Sequence, residues 1–266
     1  MKQALATVID NRMIARGMHL LRLEEPDQAR TVQPGQFMHL RVGEATFDPL
    51  LRRPLSVLRT GVSPVNDLPA GQYDLLFDVV GRGTRLLAQL RPGDLVDVLG
   101  PLGRPFQISP GVRRLLLVGG GIGVVPLVAL AEEAVRRRIA VTFLAGFRTA
   151  AKACPAALLP SEVEYIVSTD DGSAGHRGYV TSLLPDFLQW ADLVCACGPS
   201  PMLEALARLE RPRGLPVQIA MEEHMGCAMG VCLGCVIPTR HGPQRVCRDG
   251  PVFDLEEMDW SWPVLR

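Results

Sequence analysis

The chain has 266 residues, 47% of them hydrophobic, and its 28 basic and 28 acidic side chains cancel to zero formal charge. That apolar share supports packed cores and excludes a disordered or low-complexity chain. Neutrality without a basic stripe or an acidic tail argues against nucleic acid and against a strongly charged partner, and the length suits two or three small domains.

In chain order, Met1-Lys2-Gln3-Ala4-Leu5-Ala6-Thr7 lacks the apolar core of a signal peptide and runs straight into a strand-like pattern. A cytoplasmic location is therefore expected, and seven cysteines without an export signal fit a reducing compartment. Residues 1–108 read as short strands punctuated by Gly and Pro, with strands expected at 37–42, 73–80 and 94–100 and a short helix at 84–89. Such spacing predicts an antiparallel β-barrel. Within it, Leu51-Arg52-Arg53-Pro54-Leu55-Ser56-Val57 places an arginine close before a hydroxyl, a pair able to grip a pyrophosphate, although surface arginines on an exposed strand have the same pattern. Val80-Gly81-Arg82-Gly83-Thr84-Arg85 leads glycines into a helix start, where backbone N–H groups receive phosphate. Gly100-Pro101-Leu102-Gly103 closes the block as a tight turn, either structural or next to a ligand.

Residues 109–215 change character. Buried-strand runs at 114–118, 140–146, 164–168 and 193–198 alternate with helices expected at 126–138, 180–190 and 200–208, the pattern of a doubly wound parallel sheet. Gly119-Gly120-Gly121-Ile122-Gly123 follows a buried strand and opens a helix, the context of a dinucleotide loop without the G-x-G-x-x-G spacing. Thr169-Asp170-Asp171-Gly172-Ser173 and Cys197-Gly198-Pro199-Ser200-Pro201-Met202 lie just past strands, where ligands of open sheets bind, so both loops can flank a nicotinamide nucleotide. Cys197 either touches a cofactor ring or is a small packed thiol, and Cys154 and Cys195 read as packing residues. No cluster of arginines that would select NADP stands after the second strand of this block, though Arg148 is nearby.

Residues 216–266 are too few to bury much core and are expected to depend on a metal group for order. Cys227, Cys232, Cys235 and Cys247 are spaced C-x4-C-x2-C-x11-C, the plant-type ligand pattern of a [2Fe-2S] cluster. Gly226, Gly230 and Gly234 allow the backbone to wrap three thiolates and aim N–H groups at sulfur. A structural zinc knot, which would make the chain a binding module, usually uses two short Cys or Cys/His hooks instead. Glu222 and Glu223 are carboxylates beside this loop, suited to ion pairing or to shaping its cofactor side, and the five histidines show no paired metal spacing.

With these sets in order, the sequence resembles the electron-transfer subunits of NAD-dependent dihydroorotate dehydrogenase, within the ferredoxin-reductase superfamily. The likeness runs end to end through Pro34-Gly35-Gln36-Phe37, the 51–56, 83–87, 100–103, 119–123 and 197–202 motifs, and the segments 221–235 and 246–253. It implies an FAD-binding β-barrel over 1–108, a Rossmann-like NAD-binding α/β domain over 109–215 and a [2Fe-2S] module over 216–266. It puts FAD on Arg53, Pro54, Leu55, Ser56, Leu76, Phe77, Asp78, Gly83 and Thr84, and NAD on Gly120, Gly121, Gly123, Cys197 and Gly198. The cluster would take the four cysteines. It further implies an FMN-containing catalytic partner, two copies of each subunit, and electron flow through cluster and FAD to NAD+. A small subunit of a ferredoxin- or sulfide-linked NAD(P)H oxidoreductase would carry the same three modules. Asp78 departs from the arginine frequent in the family, and Ala228 from glycine, which puts a side-chain contact from Asp78 to flavin phosphates in doubt.

Overall fold

The structure is a computed structural model that describes residues 1–43 and 48–261. Six strands close a barrel: β1 (Lys2–Ala15), β2 (Met18–Glu24), β3 (Phe37–Leu40), β4 (Arg53–Thr60), β5 (Gln72–Asp78) and β6 (Leu95–Leu102), in spatial order β1-β2-β5-β4-β3-β6. Every neighbouring pair runs antiparallel. Closure leaves no free edge, and it requires one face of each strand to fill the interior. Leu21, Leu23, Met38, Leu40, Leu75, Phe77, Val96 and Val98 do so. Two short helices, α1 (Pro26–Thr31) and α2 (Arg82–Leu87), plug the turns.

The outward faces of these strands are apolar as well, because a second layer covers them. Met18, Leu20, Leu58 and Leu76 share one core with α3 (Val125–Arg136), through Leu127, Val128 and Ala131. Truncating any of these leucines to alanine would cost about 2–5 kcal/mol, so barrel and sheet fold as one packed body.

The second layer is a seven-stranded sheet. β7 (Arg114–Gly120), β8 (Ala140–Phe147), β9 (Glu164–Thr169), β10 (His176–Arg177), β11 (Leu193–Cys197) and β12 (Val217–Ala220) run parallel, in order β10-β9-β8-β7-β11-β12. The continuous apolar runs Leu115–Val118 and Val194–Ala196 are fully buried, as parallel strands covered on both faces must be. Helix α5 (Ser200–Arg208) falls where the sequence places it. The single helix expected at 180–190 is instead a 3-10 turn at Val180–Ser182 followed by α4 (Leu184–Leu188). Pro185 lacks an N–H and crowds the turn before it, which breaks the run.

The cysteine segment contributes only short pieces: β13 (Val236–Ile237) pairs with β14 (Gln244–Arg245), and β15 (Val252–Asp254) adds antiparallel to β12. Its inner half nevertheless packs firmly. Cys235, Ile237, Val246, Cys247 and Phe253 belong to the core that fills the other face of the sheet, together with Phe37 and Leu102 of the barrel. The expectation that metal alone would order this segment is thus too strong for its inner half. Among the described residues, no helix is long and apolar enough to cross a membrane.

Candidate redox site at the meeting of barrel, sheet and cysteine loop

Two adjacent arginines stand where β4 begins, Arg52 just before it and Arg53 at its first position, and their side chains meet different partners. Arg52 is a structural tie: its guanidinium donates to the Asp97 carboxylate at 2.6 Å, to the Asp97 carbonyl at 2.9 Å and to the His39 carbonyl at 3.3 Å. Arg53 instead lies across the start of α2, so close that a Cβ on Gly83 would stand 2.7 Å from its Cζ. Only glycine lets that guanidinium rest on the helix start. The Thr84 hydroxyl organises the same turn by accepting the Val80 and Gly81 N–H groups at 3.0 and 3.1 Å.

Beside this cradle, a cavity of about 330 Å³ opens between barrel and sheet. Pro54, Leu55, Ser56, Leu76, Phe77, Asp78 and Thr84 line its barrel side, and Cys197 its sheet side. Eight of the candidate residues therefore line one cavity, and Arg53 and Gly83 directly precede two of them, Pro54 and Thr84, in the chain. Asp78 Oδ1 is buried without a hydrogen bond, 3.9 Å from Lys152 Nζ, so this carboxylate faces a lysine of the sheet layer.

A third part of the wall, Ala220, Met221, Glu222, Glu223, Met225 and Pro251, comes from the segment entering the cysteine loop and from the turn before β15. Sequence reading marked 221–235 and 246–253 as family segments but singled out only Glu222 and Glu223 as candidates beside the cofactor, because the pairing of β12 with β15 that delivers the wall is non-local. The tight turn expected at 100–103 is instead the end of β6, where Gly100 pairs with Lys2 and Leu102 with Phe37, and the chain leaves the strand at Gly103, whose φ is +81° and where a Cβ would lie 3.0 Å from the Gly250 carbonyl oxygen.

Cys197 Sγ donates to Glu222 Oε1 at 3.7 Å, a long sulfur hydrogen bond across the cavity mouth. Burial, reinforced by the Glu222 charge, holds the Cys197 thiol well above its ordinary pKa, so it is protonated. Glu222 shows surface to the cavity, but protein surrounds the rest of its carboxylate. Desolvation consequently raises its pKa, against the opposing pull of the thiol.

The glycine-rich loop divides by role. Gly120 and Gly121 line a second groove, of about 490 Å³, with Arg148, Asp170, Tyr179 and Pro199. Gly121 has φ +56° and open space where a Cβ would be, so bare backbone faces the groove. Gly123 and Gly198 lie outside that lining and serve close packing: a Cβ on Gly123 would stand 2.7 Å from Gly198 Cα, and one on Gly198 would stand 3.0 Å from Gly120 N.

The cysteine loop begins one residue beyond the cavity wall: only Gly226 separates Met225 from Cys227. Cys227 Sγ accepts the N–H groups of Met229, Val231 and Cys232, each at 3.4 Å. Burial opposes ionisation there, but these N–H groups and the Cys232 thiol outweigh it and bring the Cys227 pKa down to about 6. Burial, together with the neighbouring Cys235, pushes the Cys247 thiol up to about 12. Among the described residues, no three His, Cys, Asp or Glu side chains already form a metal-holding group. The donor set still suits a thiolate-ligated cluster, with four unoxidised thiols and backbone donors aimed at sulfur. Exposure falls from Cys232, on the surface, through Cys227 to the buried Cys235 and Cys247. Ala228 and Leu233 take φ +56° and +59°, so the loop holds its path even where the sequence supplies a Cβ. Arg245 braces it by pairing with Asp249 at 2.8 Å and donating to the Gly230 carbonyl at 3.2 Å.

Comparison with known proteins agrees with this arrangement. The family model for the iron–sulfur cluster binding domain of dihydroorotate dehydrogenase B matches residues 222–259. The electron transfer subunit of dihydroorotate dehydrogenase B (NAD(+)) from Geobacillus thermodenitrificans is 44% identical over 257 residues, covering 95% of this chain and 96% of its own. The subunit of the same name from Desulforamulus reducens is 37% identical over 263 residues, covering 96% and 98%. Among solved structures, the NADH-dependent reduced ferredoxin-NADP oxidoreductase of flavin-based electron bifurcation superposes with a TM-score of 0.84 at 29% identity, covering 97% of this chain and 91% of its own. A ferredoxin NADP+ reductase from Neisseria gonorrhoeae with bound FAD and NADP shares the fold, with a TM-score of 0.64 at 17% identity, over 84% of this chain and 98% of its own. With full-length relatives at this identity and the cysteine loop seated against a cavity between barrel and sheet, the chain belongs to the family of electron transfer subunits of dihydroorotate dehydrogenase B.

Proposed function

We propose that this chain takes electrons from the FMN of a dihydroorotate-oxidising partner and delivers them to NAD+, through a [2Fe-2S] cluster on Cys227, Cys232, Cys235 and Cys247 and an FAD in the barrel-side cavity. The observation that carries this reading is the single residue, Gly226, between the cavity wall and the first cluster cysteine. Bound there, the cluster supplies one-electron relay and FAD the change from single electrons to a hydride.

The chain's own part is positioning. Arg53 and the glycine turn at 81–83 are placed to receive the flavin diphosphate, while Pro54, Leu55, Ser56, Leu76, Phe77, Asp78 and Thr84 wall the ring and its tail. Gly120 and Gly121 offer bare backbone to the nicotinamide nucleotide, and Gly123 and Gly198 keep that loop tight on β11. Cys197, protonated and held by Glu222, fills the floor between the two ligands. The division of labour follows the expected blocks 1–108, 109–215 and 216–266.

Electron entry needs a surface. Val231 and Leu233, flanking the exposed Cys232, are 76% and 61% exposed, and across a groove Leu50 and Leu51 of the barrel are 70% and 50% exposed. Apolar side chains so exposed around a redox loop fit a partner that covers them, in an assembly of two copies of each subunit.

The test is Cys232→Ser. Partner-driven reduction of NAD+ by dihydroorotate should be abolished, whereas reduction of bound flavin by NADH continues. Equal loss of both contradicts the division between cluster and flavin. NAD+ reduction driven by reduced ferredoxin, with no orotate formed from dihydroorotate, would favour the ferredoxin-linked reading, to which the bifurcating oxidoreductase at 29% identity lends weight.

A further inference from the structure

A lysine of the sheet layer reaches the barrel wall of the first cavity. Asp78 ends β5 and lines that wall, with Oδ1 buried and unbonded, 3.9 Å from Lys152 Nζ. At this distance the two make no hydrogen bond, but their charges largely cancel. Neither side chain has another partner among the described residues. Oδ1 is enclosed while the side chain still lines the cavity, so Oδ2 is the oxygen left for a ligand.

The turn between β1 and β2 holds acid and lysine opposite each other. Val79, next to Asp78, donates its N–H to the Gly17 carbonyl at 2.8 Å, and the Arg16 N–H donates to the carbonyl of Ala151, next to Lys152, at 2.9 Å. Ala150 is tied to the sheet layer in turn, its N–H donating to Ser173 Oγ at 2.8 Å. One barrel turn thus pins both backbones. An unneutralised carboxylate would be out of place here. Asp78 stands three residues before Gly81, where the glycine turn and Arg53 form the phosphate cradle, so at most about 11 Å of chain separates the acid from the cradle. A bare negative charge that near would repel a diphosphate. With Lys152 behind Oδ1 the repulsion is cancelled, and Oδ2 remains an acceptor for a hydroxyl.

We infer that Lys152 is a positioning residue of the flavin site: it neutralises Asp78, so that Asp78 accepts a hydrogen bond from a hydroxyl of FAD beside a diphosphate it would otherwise repel. This deepens the proposed function and rests on its placement of FAD in this cavity.

The test follows FAD release from the full-length holoprotein by the fluorescence of freed flavin, at low and at high salt. Lys152→Met should weaken FAD binding by about 10-fold at low salt, the effect of one like charge roughly 10 Å away in partly solvated surroundings. High salt should shrink that loss. Lys152→Gln, which keeps length and polarity, should repeat it. Adding Asp78→Asn to Lys152→Met should restore affinity to near the wild-type value, a rescue that loss of packing would not show. Wild-type affinity in both lysine variants overturns the inference. So does an undiminished loss in the Asp78→Asn background, which would make Lys152 a direct phosphate ligand. A wild type that binds no FAD refutes the proposed function as well, whereas a flavin-loaded protein indifferent to Lys152 refutes this inference alone.

Discussion

The flavin-sized cavity and the cysteine loop adjoin, yet they are built by different means. The cavity's barrel side is made of regular strands whose opposite faces are locked into two apolar cores, so its shape exists before any ligand arrives. The outer cysteine loop has almost no regular structure and is held by N–H groups on one sulfur, one arginine–aspartate pair and three positive-φ residues, Ala228, Gly230 and Leu233. The first site is preorganised by burial. The second has its inner end anchored by burial and its outer end left for a ligand to complete.

The sharpest way to break that contrast is to remove single thiols from either end of the loop. Cys232→Ser and Cys247→Ser should both abolish the iron–sulfur visible bands, since under the proposed ligation each deletes one of four thiolates. They should part in stability. Cys232 is exposed and its loss should leave the melting of barrel and sheet almost unchanged, whereas a serine hydroxyl at buried position 247 should cost about 1–3 kcal/mol in denaturant unfolding.

Next in size is the preformed cradle. Arg53→Ala should weaken FAD binding by about 10- to 100-fold, from loss of charge-assisted hydrogen bonds, without disturbing the far-ultraviolet circular dichroism. Gly83→Ala should act in the same direction, because the added methyl occupies the place of the Arg53 guanidinium.

A third test concerns the packing that fixes the cavity. Glu132 of α3 is buried against the barrel and accepts the Asn66 side-chain N–H at 2.8 Å, and desolvation pushes its pKa up to about 7. The folded protein thus holds a proton that the unfolded chain releases near 4.5. Stability should fall as pH rises from about 4.5 to about 7, by on the order of 3 kcal/mol. Glu132→Gln should flatten that slope and raise the melting temperature at pH 8 more than at pH 5.

The smallest effect is expected at the loop's brace. Asp249→Ala breaks a half-exposed ion pair, so global stability should change by less than about 1 kcal/mol. Amide exchange at 229–233 should nevertheless quicken, because Arg245 no longer steadies the Gly230 carbonyl.

The legible parts of this molecule were local ones. The four cysteines announce themselves by spacing, and β7, β8 and β11 by unbroken apolar runs. Arg52 and Arg53 are indistinguishable as letters. Only the pairing of β4 with β3 and β6 with β3 decides which one meets Asp97. The cavity wall from Ala220 to Met225 was equally hidden, since it depends on β15 returning to β12 across more than thirty intervening residues. Gly123 and Gly198 show the converse: the glycine pattern stands out in the sequence but conceals which glycines face the groove and which make room for a neighbour.

The position of β15 has a consequence for how the polypeptide is made. Its pairing with β12 comes after Cys247 in the chain, so a ribosome has released all four sulfurs before the last rung of the dinucleotide sheet can form. A nascent or clipped product ending ahead of residue 252 would leave the β12 backbone unsatisfied along one side, an invitation to intermolecular pairing. Truncated copies should therefore aggregate rather than linger as flavoproteins that lack only their iron.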